Sequence, residues 1–278
     1  SHFRAKRAQG KLPLPAALCE QEKKSRNYFM SAYKILKDGL AKLGLENVPG
    51  SIFDNAFNVF DRAREDLNLV VVGTNGNTSD RINSTLGWLE SRASQPEYSH
   101  LKQGDWGRTI LQPQLLEIPN CLNTALNTSK FCANSTIYTN ALLVASSGVS
   151  DIGNCVRELR TSSPKFQSKK DIVKASMEFF SNYMLSLASP DLLFVYGNSE
   201  PGDSAWAYLR RHFEVVEEGV NLPLTSSTAY KFCTIKILEK TIPVIGSPHL
   251  SYAYNKLNPH LIREGLTELG LVQVREIA

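Results

Sequence analysis

Apolar positions recur at three- and four-residue spacing early in the chain. Phe29, Tyr33, Leu36, Leu40 and Leu43 share one face of a helix predicted over residues 27–45, with Lys34 and Lys37 on the other face. The favoured reading is a helix packed on a core with its basic face in water; a DNA-contacting face is the alternative. A turn at Pro49 and Gly50 separates it from a second helix expected over residues 52–64. The pattern then changes. Leu67 to Gly73 (LNLVVVG) is an unbroken, β-branched run closed by glycine, as expected of a parallel strand covered on both faces. Ile137 to Ser146, Asp191 to Gly197 and Ile242 to Ser247 repeat that pattern.

Helical periodicity returns between these runs. DIVKASMEFFSNYMLSLAS predicts a helix with Asp171 as N-cap and Phe179, Phe180, Tyr183, Met184 and Leu187 on one face. Residues 203–213 predict another, capped by Asp203 with Trp206, Leu209 and Phe213 inward, and residues 259–269 a last one starting at Pro259. Strands alternating with helices predict an α/β fold: a three-layer α/β/α sandwich around a central, mostly parallel four-stranded sheet with right-handed crossovers. Residues 74–136 are rich in Asn, Ser, Gly and Pro and hold Trp88 and Trp106. They read as an elaborated loop region beside a site.

Composition adds one asymmetry. The 278 residues are 42% hydrophobic and carry a formal charge of +4, which by itself points to no polyanion. Residues 1–40, however, hold nine Lys/Arg against three Asp/Glu, a net of +6 that includes Arg4, Lys6 and Arg7. The remaining 238 residues hold 22 Lys/Arg against 24 Asp/Glu, a net of −2. The chain therefore divides into a basic N-terminal segment with its helix, residues 1–50, and an α/β domain over 51–278. No apolar stretch has the length of a membrane span, and no leader-type stretch follows the first charges, so a cytoplasmic or nucleoid-associated prokaryotic protein with no membrane partner is expected. Five cysteines without a C-x-x-C pair argue for buried thiols in a reducing compartment. They also argue against a zinc ribbon. Four N-x-S/T triplets, at Asn77, Asn83, Asn127 and Asn134, read as polar loops.

In doubly wound folds ligands sit beyond the carboxyl ends of the strands, so the strand tips are where chemistry is sought. The first strand ends in GTNGNTSD, which puts Asn75 at the tip. The run has neither G-x-G-x-x-G nor P-loop spacing, and a turn selected for positive φ explains it as well as a site does. The second run contains Asn140 inside YTN. A buried amide is either wired into the backbone or aimed at a ligand with a matching edge. The fourth runs into GSPHLSY, so His249 follows a tip directly, with Ser251, Tyr252 and Tyr254 behind it. His2, His100, His212 and His260 have no such setting and read as surface or packing residues.

The set in this order resembles the uracil-DNA glycosylase superfamily over roughly residues 67–260. LNLVVVGTNGN looks like its water-activating loop, closest to the thymine- and mismatch-specific branch. IYTNALLV looks like its base-reading strand, DLLFVYGNSEPGDSAWAYL like the strand and helix before the last motif, and VIGSPHLSY like its His-Pro-Ser loop. The chain departs at Gly76, where that branch has Pro, at Asn77, where it has Gly, and at Leu250, where the family has Pro. The four cysteines of the iron–sulfur branches have no counterpart, so neither cluster nor other metal or cofactor is expected.

The resemblance implies roles. Asn75 would hold the attacking water, and His249 would stabilise charge on the leaving base. Asn140 would read the base edge, with Gly73, Thr74 and Asn77 bordering it. Ser251 and the stretch from Ser247 would grip phosphates, Tyr252 or Tyr254 would wedge where the base has left, and Trp106, Tyr98 or Phe131 would lie under the base. The implied activity is a monofunctional DNA glycosylase that flips out a modified or mispaired base and leaves an abasic site, in base-excision repair or in defence against phage DNA with modified cytosines. DNA is the expected partner and a monomer the expected state. A non-catalytic nucleic-acid-binding member of the superfamily is the alternative, and a hydrolase of free nucleosides or nucleotides a third reading.

Overall fold

A computed structural model describes residues 32–53, 66–76, 83–95 and 110–272. The helix expected over 52–64 falls almost wholly outside these residues. The described part of the first helix, α1, covers 32–43, with Ala32, Leu36 and Leu40 buried as its spacing requires.

One mixed sheet of six strands organises the chain. In chain order these are β1 (Leu69–Asn75), β2 (Thr136–Leu142), β3 (Leu192–Tyr196), β4 (Glu214–Pro223), β5 (Ala229–Ile237) and β6 (Lys240–Ser247). Their spatial order is β2-β1-β3-β6-β5-β4. The four strands predicted from apolar runs, β2, β1, β3 and β6, form the parallel part. The expected four-stranded sheet is incomplete, because β5 and β4 extend it antiparallel from β6. The two strands escape the pattern for different reasons: β5 (AYKFCTIKI) is largely buried, but Lys231, Thr234 and Lys236 interrupt its apolar run, whereas β4 lacks burial. β4 (EVVEEGVNLP) is the sheet edge, largely exposed on both faces and carrying Glu214, Glu217 and Glu218, so it has no apolar run to betray it.

Alternation along the parallel strands sends side chains to opposite faces and makes two cores. Val70, Val72, Leu193, Val195 and Val244 point to one. Helices α2 (Thr85–Ser94), α4 (Ile152–Ser162), α5 (Lys169–Phe179) and α6 (Ala205–His212) cover that face together with α1. Leu69, Val71, Phe194 and Ile245 point to the other, beneath α3 (Leu111–Leu126) and α7 (Pro259–Glu268). Helices thus lie on both faces of the sheet. None among the described residues is long and apolar enough to cross a membrane.

Three sequence expectations change. Residues 74–136 are not a long loop, since α2 and the sixteen-residue α3 occupy much of them. Ser168, not Asp171, caps α5: its hydroxyl accepts from the Asp171 N–H while the Asp171 carboxylate reaches back to the Ser168 N–H, a capping box. Ser204, not Asp203, caps α6 by accepting from the Ala207 N–H.

Trp206, fully buried on α6, packs its ring against the backbone of β6 at Gly246. Truncating it leaves a ring-sized void between helix and sheet. Trp206→Ala should cost about 3–5 kcal/mol, read as a fall in the urea midpoint at unchanged slope.

Candidate active site

The parallel strands end together, and the segments leaving them enclose one cleft of about 810 Å³. Thr74, Asn75, Asn140, His249, Ser251 and Tyr252, all expected site residues, line it. Parallel register explains the meeting of the first two tips: Gly73 pairs with Asn140 and Asn75 with Leu142.

Asn75 is held by its nitrogen. Its Nδ2 donates to the Gly76 carbonyl at 3.0 Å, the Val144 carbonyl at 3.2 Å and Ser146 Oγ at 2.7 Å. Ser146 spends its own hydrogen on the Gly148 carbonyl, 2.8 Å away, and so meets Asn75 as an acceptor. The two carbonyls cannot receive the oxygen end of the amide. Asn75 Oδ1 therefore remains as an acceptor without a partner among the described residues.

Asn140 is half wired in. Its Nδ2 donates to Ser51 Oγ at 3.3 Å. Its Oδ1 lies 3.2 Å, and the Tyr196 hydroxyl only 2.3 Å, from where a Cβ on Gly73 would stand. Gly73 is thus required by close approach rather than by its conformation, and it brings the tips of β1, β2 and β3 together.

His249 enters from beyond β6. The Ser251 N–H donates to its Nδ1 at 3.3 Å, which makes Nδ1 the acceptor and leaves the proton on Nε2 in the neutral ring. The residue stays exposed along the cleft, yet the surrounding protein desolvates the ring and lowers its pKa below the ordinary 6.5. Its ring meets Tyr196 edge-on at 5.6 Å. Gly197, at φ +96°, is where β3 turns away beneath it; a Cβ there would lie 3.8 Å from His249 Cδ2 and 3.3 Å from Thr74 Oγ1.

The other expected residues divide. Thr74 lines the cleft, but its hydroxyl accepts from the Ala205 N–H at 3.2 Å and so ties β1 to the start of α6. Ser247 does not reach a ligand: it is fully buried and donates to the Pro248 carbonyl. Phe131 lies in the core under α3 rather than in the cleft. Leu250 is fully buried in that same core, anchoring the loop where a proline was expected. Asn77, Tyr98, Trp106, Arg4, Lys6 and Arg7 lie outside the described residues.

Sequence reasoning missed the supports. Ser146 locks Asn75, and Gln114 on α3 grips the loop after β6 by donating to the Leu250 carbonyl and accepting from the Leu257 N–H. Asn255 donates to the His249 carbonyl and accepts from Thr228. Only Tyr196 carried a signal, as a tyrosine ending an apolar strand just before its glycine. Trp88, Leu111, Leu115 and Tyr138 give the cleft an apolar wall.

The acid–base inventory is short. Among the described residues, Asp203 is the carboxylate lining the cleft, and it is committed to Lys169 Nζ at 2.8 and 2.9 Å and to the Tyr208 hydroxyl at 2.9 Å. No group of three His, Cys, Asp or Glu among the described residues is placed to hold a metal ion. The arrangement offers an amide oxygen, a neutral imidazole N–H and a second amide rather than a strong base. Comparison of the chain with protein-family models, with curated proteins and with solved structures found no match.

The His249 setting has a measurable signature. A nitrogen-detected titration should place the proton on Nε2 at neutral pH and give a midpoint below 6.5. A folded pKa below the unfolded value means that stability is present above the unfolded midpoint and is lost as pH falls from there through the folded one. A midpoint at or above 6.5, or a proton on Nδ1, would contradict the geometry.

Proposed function

We propose that the protein is a monofunctional DNA glycosylase that takes a flipped base into this cleft and hydrolyses its N-glycosidic bond. The observation that carries the reading is the locked Asn75 amide, an oxygen acceptor in the same cleft as the imidazole N–H of His249. Cleavage of an N-glycosidic bond passes through a sugar with oxocarbenium character. The attacking water then needs position more than deprotonation, and a fixed amide oxygen supplies position. The leaving base gathers negative charge on an oxygen, which a neutral imidazole N–H stabilises without first having to lose a proton. Asn140 is set to read the edge of the base, which must leave the helical stack to reach it. The committed state of Asp203 supports the same reading, because a mechanism built on a free carboxylate base has no group for it among the described residues.

The test is direct. Incubate the protein with duplexes carrying uracil, mismatched thymine, hydroxymethylcytosine or its glucosylated form, then cleave abasic sites with alkali. Breaks on one substrate name the base; retention of DNA without breaks on any of these substrates favours a binding protein instead. Asn75→Ala should abolish base release while leaving DNA affinity within a few fold, and undiminished excision by that variant would sink the mechanism. Deleting residues 1–26, which carry seven Lys/Arg, should weaken DNA binding and flatten its salt dependence, since counterion release scales with contacted phosphates.

A further inference from the structure

We propose that Tyr252 and Tyr254 form a stacking platform for unpaired nucleobases, so that the protein takes single-stranded nucleic acid in preference to duplex. The inference rests on the nucleic-acid part of the reading above and not on its chemistry. The two tyrosines are 54% and 58% exposed, unlike most large apolar side chains among the described residues. Their rings stack on each other at 5.4 Å between centroids and 19° between planes. Tyr252 meets His249 edge-on at 6.3 Å, and His249 meets Tyr196 likewise. Four rings therefore run without a break from a strand tip inside the cleft to open solvent.

The loop does not leave the pair exposed through slackness. Asn255, only 2% exposed, holds the carbonyl of His249 with its side chain and that of Tyr252 with its backbone N–H, while Gln114 holds Leu250 and Leu257. The backbone beneath the rings is held, and about half of each ring still faces solvent, an apolar area that suits a partner with flat apolar faces.

The stacked geometry separates the platform from a wedge. A wedge enters a base step as one thin side chain, whereas two stacked rings are about twice as thick as the ~3.4 Å spacing of adjacent bases. They suit addition of a base to the free outer face, which the splayed bases of a single strand make available and a duplex does not. Stacking is also an interaction open to a body of net charge −2, whose net charge gives it no long-range attraction for phosphates.

The experiment is fluorescence anisotropy with the full chain and a labelled, lesion-free strand of about 12 nucleotides, within the usual site sizes, free or annealed to its complement. The wild type should bind the single strand about tenfold or more tightly than the duplex. Tyr254→Ala should lose most of that preference with an unchanged salt slope, and Tyr254→Phe, which keeps the ring, should retain it. Equal affinity for both forms, or a Tyr254→Ala loss confined to duplex, overturns the platform while leaving the glycosylase reading to its own base-release assay. Binding of neither form overturns the platform too, and base release on the modified duplexes decides the glycosylase reading separately.

Discussion

Two backbone carbonyls decide what Asn75 is able to do. A carbonyl accepts and never donates, so Val144 and Gly76 admit only the nitrogen end of the carboxamide, and Ser146 joins them because its own hydrogen goes elsewhere. Turning the amide over would set its oxygen against two carbonyl oxygens and take the Nδ2 donor from the Val144 carbonyl, at about 1–3 kcal/mol for a buried group left unmet. The oxygen is thus presented to the cleft by a constraint, not by a preference of the side chain. That constraint depends in turn on the sheet. β2 runs parallel to β1, and the chain leaving β2 turns back over the tip of β1, where the Ser146 N–H bonds the Gly76 carbonyl at 3.0 Å.

The other half of the cleft is held from the opposite face. α3 lies under the sheet, yet its Gln114 reaches both ends of the loop after β6, and Leu250 sinks into the core that α3 covers. A proline would stiffen such a loop through its own ring; here a buried leucine and the side-chain amides of Gln114 and Asn255 do so through tertiary contacts. The imidazole is therefore positioned by the helix layer on one face, and the Asn75 amide by the segment that crosses the sheet end. Both depend on the parallel register that brings the β1, β3 and β6 tips to one end of the sheet.

What could be read from the sequence follows from where partners lie along the chain. Strands buried on both faces wrote themselves as β-branched runs, and polar residues at their ends, Asn75, Asn140 and His249, stood out against that background. β4 was silent because its environment is water. α3 was silent because Pro113, Pro119 and several Asn and Gln read as loop, although Pro113 sits in the first turn, where its missing N–H costs nothing, and the apolar spacing of Leu115, Ile118 and Leu122 survives. Ser168 and Asp171 together made a capping box whose first member lay just outside the periodic stretch. The supports of the site were silent for a different reason. Ser146 serves a residue 71 positions away and Gln114 one 136 positions away, and no local pattern marks a hydrogen bond of that span.

The outer edge of the sheet has a consequence for how molecules meet. β4 leaves one row of backbone groups unpaired, the kind of edge that invites another strand, but Glu214, Glu217 and Glu218 stand along it and its pairing is broken by two irregularities. Like charges brought together by two such edges repel, so the fold guards itself against sheet-to-sheet growth. Glu218 is itself held by the Arg210 guanidinium, so this guard falls chiefly to Glu214 and Glu217, in the first half of the strand.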